Sequence, residues 1–284
     1  MTELAVNVRG LRKRYGGVTA VDDLDLGIRQ GEVFGILGPN GAGKSTTVEI
    51  LQGHRTRDAG EVTVLGSDPA TGNRRWRSRI GIVWQDESAP AELTVRETVS
   101  HFAAYYPNPR DPDDVIALVG LDQKASSRTK ALSGGQRRRL DVALGVIGSP
   151  ELLLLDEPTT GFDPAARRQF WELIRQLADD GTTIVLTTHY LEEAEALADR
   201  LAVISAGRVV AEGTPAGLRE QHDKQAMVAW QEPDGSPRAE RTATPTRTVA
   251  ALMRRFDGEI PGLVITRPTL EDVYLRLTGQ EATQ

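Results

Sequence analysis

The 284-residue, 30.9 kDa chain is long enough for one large domain, or for one domain with a small appendage. Its 39% hydrophobic and 26% charged residues are typical of a soluble globular protein, and its net charge of -6 argues against a general nucleic-acid binder. The absence of cysteine excludes disulfides, thiolate metal sites and a cysteine nucleophile, and it suits a reducing cytosol.

The sequence contains no membrane-spanning segment. Its first residues, MTELAVNVRG, lack an apolar signal core. The most apolar run, the leucines at 152–155, is far shorter than the roughly 20 residues that cross a bilayer. We therefore expect a cytoplasmic protein whose membrane role depends on a partner. Two basic clusters, at residues 74–79 and at Arg137–Arg139, are interpreted as solvated faces.

The beginning of the chain predicts an antiparallel edge sheet and then a strand–turn–helix unit. Residues 3–8 and 19–28 alternate apolar and polar side chains on either side of a Gly-Gly pair, which is typical of a hairpin. The apolar run 32–37 leads into a glycine-rich turn and a helix that begins near Lys44.

The middle of the chain predicts a mostly helical region. A strand is expected at 80–84. Thr94 and Glu97 have capping-box spacing, which predicts a helix over about 95–106. Prolines then interrupt the chain, and the pattern stays mostly helical to about residue 148.

The following segment predicts a parallel sheet. Residues 152–155 form an unbroken apolar run, as in a fully buried strand. Asp163 followed by Pro164 is typical of a helix start, and Gly181 marks the end of that helix. A second apolar run at 183–188 completes a strand–helix–strand unit, which implies parallel strands.

The last part of the chain predicts a hairpin at 201–212, and past about residue 218 the amino-acid composition changes. Polar, proline-containing sequence continues to 247. It is followed by a helix at 248–255, a strand at 262–266 and a helix from Leu270. The fold class is therefore α/β, with a C-terminal α+β appendage.

A phosphate-binding loop follows the strand at 32–37, because residues 38–45 match G-x-x-x-x-G-K-[ST]. Glycines allow the backbone to approach phosphates, and a helix N-terminus directs N–H donors at them. Lys44 supplies a positive charge for the outer phosphates, and the Ser45 hydroxyl can ligate Mg²⁺. The candidate nucleotide contacts here are Gly38, Pro39, Asn40, Gly41, Ala42, Gly43, Lys44, Ser45 and Thr46.

Two carboxylates, Asp156 and Glu157, come directly after the buried strand at 152–155. In an open α/β sheet, ligands bind at that edge. Asp156 is the expected second holder of the metal, and Glu157 could act as general base toward the attacking water.

A second anion-binding helix start is predicted at LSGGQ, residues 132–136. The Ser133 hydroxyl and the backbone N–H groups of Gly134 and Gly135 are suitable donors, and Gln136 completes the motif. One chain thus carries two phosphate-binding elements.

The phosphate loop, LSGGQ and LLLLDEP in this order resemble the ABC-type ATPase family over about residues 1–218. The resemblance implies the P-loop NTPase fold of that family, with a mostly parallel core sheet, an antiparallel β edge subdomain and a helical subdomain at about 86–150. It also implies ATP and Mg²⁺ as ligands. Further site residues that it implies are Tyr15 against adenine, Gln85 near Mg²⁺ and the membrane-facing surface, Asp163 at a dimer seam, and His189 at the γ-phosphate. Phe162 stands where the family usually has leucine.

The resemblance also implies partners. In that family, each ATP lies between the phosphate loop of one subunit and the LSGGQ of another, so a second ATPase subunit, identical or not, is expected. The segment 268–279 is similar to the ending of daunorubicin-resistance-type exporter ATPases. This similarity implies a separate transmembrane permease that holds the chain at the inner face of the cell membrane. The role of the appendage at 219–284 stays open.

Two other functions remain as alternatives. The first is an importer ATPase, against which only the tail and the general character of this sequence argue. A relative that acts on ribosomes or DNA would usually carry two cassettes or long coiled coils, whereas this chain has one cassette and an acidic balance.

Overall fold

The computed structural model describes residues 3–84, 92–222 and 225–279. The chain divides into two compact units, Met1–Glu212 and Gly213–Gln284. The change in amino-acid composition past about residue 218 falls within a helix, Pro215–His222. That helix packs against the last helix of the second unit.

The first unit contains a six-stranded sheet and a three-stranded sheet. Its strands are β1 (Leu4–Tyr15), β2 (Val18–Arg29), β3 (Val33–Leu37), β4 (Ala59–Val64), β5 (Ile80–Val83), β6 (Leu152–Asp156), β7 (Thr183–Thr188), β8 (Arg200–Ser205) and β9 (Arg208–Gly213), which reaches the division. Its helices are α1 (Lys44–Leu51), α2 (Arg74–Arg77), α3 (Val95–Ala103), α4 (Pro112–Leu118), α5 (Gly134–Val146), α6 (Pro164–Asp179) and α7 (Leu191–Leu197). Short 3-10 turns lie at Pro69–Thr71, Asp122–Lys124 and Thr129–Ala131.

The six-stranded sheet has the order β5-β6-β7-β3-β8-β9, and its first five strands run parallel to one another. The three-stranded sheet, β2-β1-β4, is antiparallel. The predicted mixture of a mostly parallel core sheet and an antiparallel edge sheet is thus confirmed. The predicted hairpin is also present, because β8 and β9 are joined by Ala206 and Gly207, which both have positive φ as tight hairpin turns require.

The parallel register brings the ends of four strands to one edge of the sheet. Leu37 lies opposite Thr188, Asp156 opposite Thr187, and Val83 opposite Leu155. The phosphate loop and the residues after β6 and β7 therefore start from neighbouring positions, where open α/β sheets bind ligands.

Both faces of the parallel sheet are covered, which explains the unbroken apolar runs. Leu153 and Leu155 face a cluster that contains helices α3 to α6. Leu152 and Leu154 face a second cluster that contains α1 and the antiparallel sheet. Side chains alternate between the two faces of a strand, so a strand that is buried on both faces has no position that faces solvent.

The helical region differs in detail from the sequence prediction. The capping box of Thr94 and Glu97 is formed, and α3 begins at Val95 as predicted. However, α3 ends at Ala103 rather than near residue 106. Two 3-10 turns separate α4 from α5.

The second unit is a small α+β fold. Its elements are α8 (Pro215–His222), β10 (Ala226–Gln231), β11 (Pro237–Thr242), α9 (Pro245–Phe256), β12 (Val264–Thr266) and α10 (Leu270–Thr278). The central strand β10 pairs antiparallel with both β11 and β12, and Val228, Trp230, Leu252 and Ile260 form the core. The sequence prediction assigned no structure to β10 and β11. None of the helices in the described part of the chain has the length and apolar character needed to cross a membrane.

Candidate functional site

The phosphate loop, residues 38–45, connects β3 to α1, and two of its glycines are needed for steric reasons. Gly43 has φ of 105°, and a Cβ there would lie 2.4 Å from the Ala20 carbonyl oxygen. A Cβ on Gly38 would lie 2.4 Å from the carbonyl oxygen of Ile204. Only glycine fits both positions. Gly38, Ala42 and Lys44 are buried, Pro39, Gly43 and Thr46 are half-buried, and Asn40, Gly41 and Ser45 are exposed.

The Lys44 ammonium lies inside this loop. It donates hydrogen bonds to the carbonyl oxygens of Gly38 at 2.7 Å and Pro39 at 3.2 Å. Burial lowers the pKa of Lys44 below its ordinary value, while Glu157 and Asp156 act in the opposite direction. The loop thus encloses a lysine ammonium, a group that can bind phosphate oxygens.

Asp156 ends β6 beside the phosphate loop. Ser45 Oγ lies 3.4 Å from Asp156 Oδ1, and the Thr187 hydroxyl on β7 donates to the same carboxylate oxygen. A hydroxyl and a carboxylate at this separation are a suitable donor set for Mg²⁺, which usually takes one or two protein ligands and fills its other positions with phosphates and water. Among the described side chains, no group of three or more His, Asp and Glu residues is arranged to hold a metal by itself.

Glu157 adopts a φ of 44°, a region that residues other than glycine rarely enter. Its N–H donates to the Thr187 hydroxyl at 3.0 Å and lies 3.2 Å from the Thr187 carbonyl oxygen. One carboxylate oxygen lies 3.6 Å from Lys44 Nζ, and the other lies 3.2 Å from His189 Nδ1. The strained backbone therefore directs the carboxylate between the lysine and the histidine.

The fold thus brings five predicted residues to one edge of the sheet: Lys44, Ser45, Asp156, Glu157 and His189. The sequence did not indicate how His189 is supported. Its ring lies 4.1 Å from the Tyr190 ring, measured between centroids, and the Arg167 guanidinium lies 4.5 Å from the Tyr190 ring centroid. Because Arg167 is on α6, the tyrosine beside the histidine contacts the helix that follows Glu157.

The LSGGQ segment forms a complete capping box at the start of α5. Gln136 N donates to Ser133 Oγ, and Ser133 N donates to Gln136 Oε1. Ser133 and Gly134 are exposed, and a Cβ on Gly134 would meet nothing within 4 Å. The start of this helix is therefore open on its outer side.

Arg138, one turn further along α5, is buried, so the prediction of a solvated face is wrong for this residue. Its guanidinium donates to the carbonyl oxygens of Pro158 at 2.9 Å, Asp156 at 3.0 Å and Trp84. The sequence carried no signal for this, because a run of three arginines on a helix usually faces solvent. The physical reason is that the carboxyl ends of β5 and β6 present carbonyl oxygens to α5.

Two other predicted residues, Tyr15 and Asp163, make their contacts away from the Lys44–Glu157 pair. Tyr15 is exposed at the end of β1, with the Arg55 guanidinium 5.1 Å from its ring centroid. Asp163 caps α6 by accepting hydrogen bonds from the N–H groups of Ala165 and Ala166. Gln85 lies outside the described residues.

Comparison with known proteins agrees with this geometry. A family model described as ABC transporter matches residues 21–160, and a model described as AAA domain matches residues 130–193. The Nod factor export ATP-binding protein I of Rhizobium sp. (strain N33) is 40% identical, and the alignment covers 99% of both chains. The chain belongs to the ABC transporter family. It is an ATP-binding cassette, and as such it is the ATPase of a transporter.

Solved structures of cassettes have the same fold. The cbiO1 protein from Clostridium perfringens, part of the ABC transporter complex cbiONQ, matches with a TM-score of 0.71 and 28% identity, covering 77% of this chain and 92% of that one. The cassette MJ0796, in a dimeric post-hydrolysis state bound to ADP and Pi, matches with a TM-score of 0.66 and 25% identity, covering 74% and 98%.

Proposed function

We propose that this chain is the ATP-hydrolysing subunit of an exporter, and that it works as one half of a dimer that encloses two Mg-ATP molecules. The observation that carries the proposal is the convergence of Lys44, Asp156 and Glu157 at the end of the phosphate loop. A buried cation, a metal-holding carboxylate and a second carboxylate aimed between a lysine and a histidine are the groups that ATP hydrolysis needs.

In this proposal each residue has one task. Loop N–H groups and Lys44 bind the β- and γ-phosphates. Ser45 and Asp156 would hold Mg²⁺, which would neutralise charge on the phosphates. Glu157 accepts a proton from the attacking water, and His189, 3.2 Å from Glu157, lies on the γ-phosphate side. Tyr15 supplies an exposed aromatic face for adenine, next to the Arg55 guanidinium.

The dimer is supported by the start of α5, where Ser133 and Gly134 are exposed. A helix N-terminus with free N–H groups attracts phosphate, and in this proposal that phosphate belongs to a nucleotide held by the phosphate loop of a second subunit. The MJ0796 cassette, which is dimeric and bound to ADP and Pi, supports the same arrangement. Asp163 then lies near the seam.

We place this pair of cassettes on the inner face of the cell membrane, attached to a separate permease. The curated relatives are named export ATP-binding proteins, and residues 268–279 resemble the ending of daunorubicin-resistance-type ATPases. Both features favour export of drug-like or lipophilic compounds over import. Gln85 and the residues after it are the proposed contact with the permease.

The proposal is tested with the purified chain and with membranes. Size-exclusion chromatography of Glu157→Gln should give a dimer with Mg-ATP and a monomer without it. Affinity capture from membranes should recover a polytopic protein, and vesicles with that protein should transport substrate away from the ATP-binding side. Retention of a monomer at saturating Mg-ATP would refute the dimer, and transport toward the ATP-binding side would refute export.

A further inference from the structure

We propose that Arg138 is a positioning residue that couples the start of α5 to Glu157, so that phosphate contact at Ser133 sets the hydrolysis geometry at the other nucleotide. The proposal rests on the dimer and on the general-base role of Glu157 under the proposed function. The buried Arg138 side chain would then connect the two nucleotides that the dimer encloses.

The connection begins with the position of Arg138 on α5. The helix begins at Gly134, and the capping box of Ser133 and Gln136 fixes its first turn. Arg138 follows about one turn later, and its residue is only 8% exposed. Because a helical turn is rigid, a displacement of the Ser133 end of the helix also displaces the Arg138 side chain.

The guanidinium of Arg138 holds the backbone on both sides of Glu157. It donates to the Asp156 carbonyl oxygen at 3.0 Å and to the Pro158 carbonyl oxygen at 2.9 Å, and these residues flank Glu157 directly. A third hydrogen bond reaches the carbonyl oxygen of Trp84, after β5. Arginine suits this position because its planar fork presents five donors in fixed directions.

These hydrogen bonds are the main partners of a buried charge. The nearest carboxylate contact, from Arg138 Nη1 to Asp141 Oδ2, measures 3.9 Å. Burial lowers the pKa of Arg138 below its ordinary value, while the carboxylates of Asp141, Asp156 and Glu193 act in the opposite direction. The three carbonyl oxygens are the direct hydrogen-bond acceptors of the guanidinium, and the guanidinium in turn holds the strand ends.

The conformation of Glu157 explains why such support matters for hydrolysis. Its φ of 44° is unfavourable for a side chain with a Cβ, so it persists only where the surroundings hold it. The Thr187 hydroxyl holds its N–H from β7, and Arg138 holds the neighbouring carbonyls from α5. Loss of the α5 support lets the carboxylate move, and a displacement of about 1 Å can lower a rate about 100-fold.

A double-mutant cycle on turnover tests the coupling. The variants are Arg138→Lys, which retains the charge but loses the fork, Ser133→Ala, and the double variant. Arg138→Lys should lower kcat about 10- to 100-fold while the Kd for Mg-ATP changes less than about threefold. At Mg-ATP concentrations that keep every variant dimeric, the double variant should be no slower than Arg138→Lys by itself, because the remaining effect of the contact at Ser133 acts through the arginine.

Controls separate this role from a general loss of structure. Arg139→Lys is the matched control, because Arg139 is the next residue of α5 and its guanidinium bonds to Val119 and Gln169 instead. It should keep kcat within about twofold. Arg138→Gln, which is neutral and can still donate hydrogen bonds, replaces Arg138→Lys in the cycle if a buried lysine prevents folding by circular dichroism.

The outcomes are distinct. Turnover by Arg138→Lys equal to wild type, or a double variant whose loss is the product of the two single losses, overturns the coupling while leaving the ATPase intact. A wild-type chain that shows no Mg-ATP turnover or no ATP-held dimer contradicts the proposed function instead.

Discussion

Replacing Glu157 by glutamine tests the chemistry of the site most directly. Glutamine keeps the size of the side chain and removes the charge, so it can no longer accept a proton from water. The backbone hydrogen bonds from Glu157 N–H to Thr187 do not involve the side chain and should persist. Lys44 retains its bonds to the loop carbonyls at 2.7 and 3.2 Å, so the phosphate loop should keep its shape.

The size of the effect follows from the role assigned to the carboxylate. A positioned general base contributes about 10²- to 10⁴-fold to a rate. At about 1.4 kcal/mol per factor of ten, this corresponds to roughly 3 to 5 kcal/mol of the activation free energy. Binding should not weaken, because the lost negative charge lay 3.6 Å from Lys44 and would repel the phosphates.

The assay is steady-state phosphate release at saturating Mg-ATP, combined with calorimetry for the affinity. Glu172→Gln is a suitable control, since this glutamate is exposed on α6. It should hydrolyse ATP at the wild-type rate. A Glu157→Gln protein that also keeps wild-type turnover would remove Glu157 from the role of general base.

Three further predictions concern binding and stability. Lys44→Ala should weaken ATP binding about 100-fold, because the charge-assisted bonds to phosphate contribute roughly 3 kcal/mol; an unchanged Kd by calorimetry would contradict this. Asp163→Ala should destabilise the fold by about 1 kcal/mol in urea unfolding, because two N–H groups at the start of α6 lose their acceptor; Asp163→Asn should retain the cap, and equal losses in both variants would argue against it. Burial raises the pKa of Glu193 above its ordinary 4.5, so the folded state binds the proton more tightly than the unfolded chain, and stability falls as pH rises from 4.5 through the raised pKa. Glu193→Gln should reduce this fall in unfolding free energy, and an identical pH slope in wild type and variant would refute the assignment.

Local patterns were sufficient for most elements of the first unit. The capping box at Thr94, the Asp163-Pro164 helix start and the apolar strands at 152–155 and 183–188 depend on contacts within a few residues, so they could be predicted. The strands β10 and β11 of the second unit were missed. β11 is polar and almost fully exposed, so its strand character depends on pairing with β10 rather than on composition. β10 is apolar in five of its six residues, and this local signal was overlooked within an otherwise polar segment.

The sequence alone determined the phosphate-binding loop, because its glycines and lysine have a fixed spacing, and it predicted the two carboxylates that the proposed hydrolysis uses. Only the tertiary structure decided how they meet. Parallel pairing of β3, β6 and β7 brings segments more than a hundred residues apart in sequence within hydrogen-bonding distance, as in the 3.4 Å contact of Ser45 with Asp156. The burial of Arg138 likewise could not be predicted from the sequence. It depends on carbonyl oxygens at the end of β6, which accept hydrogen bonds from the guanidinium on α5.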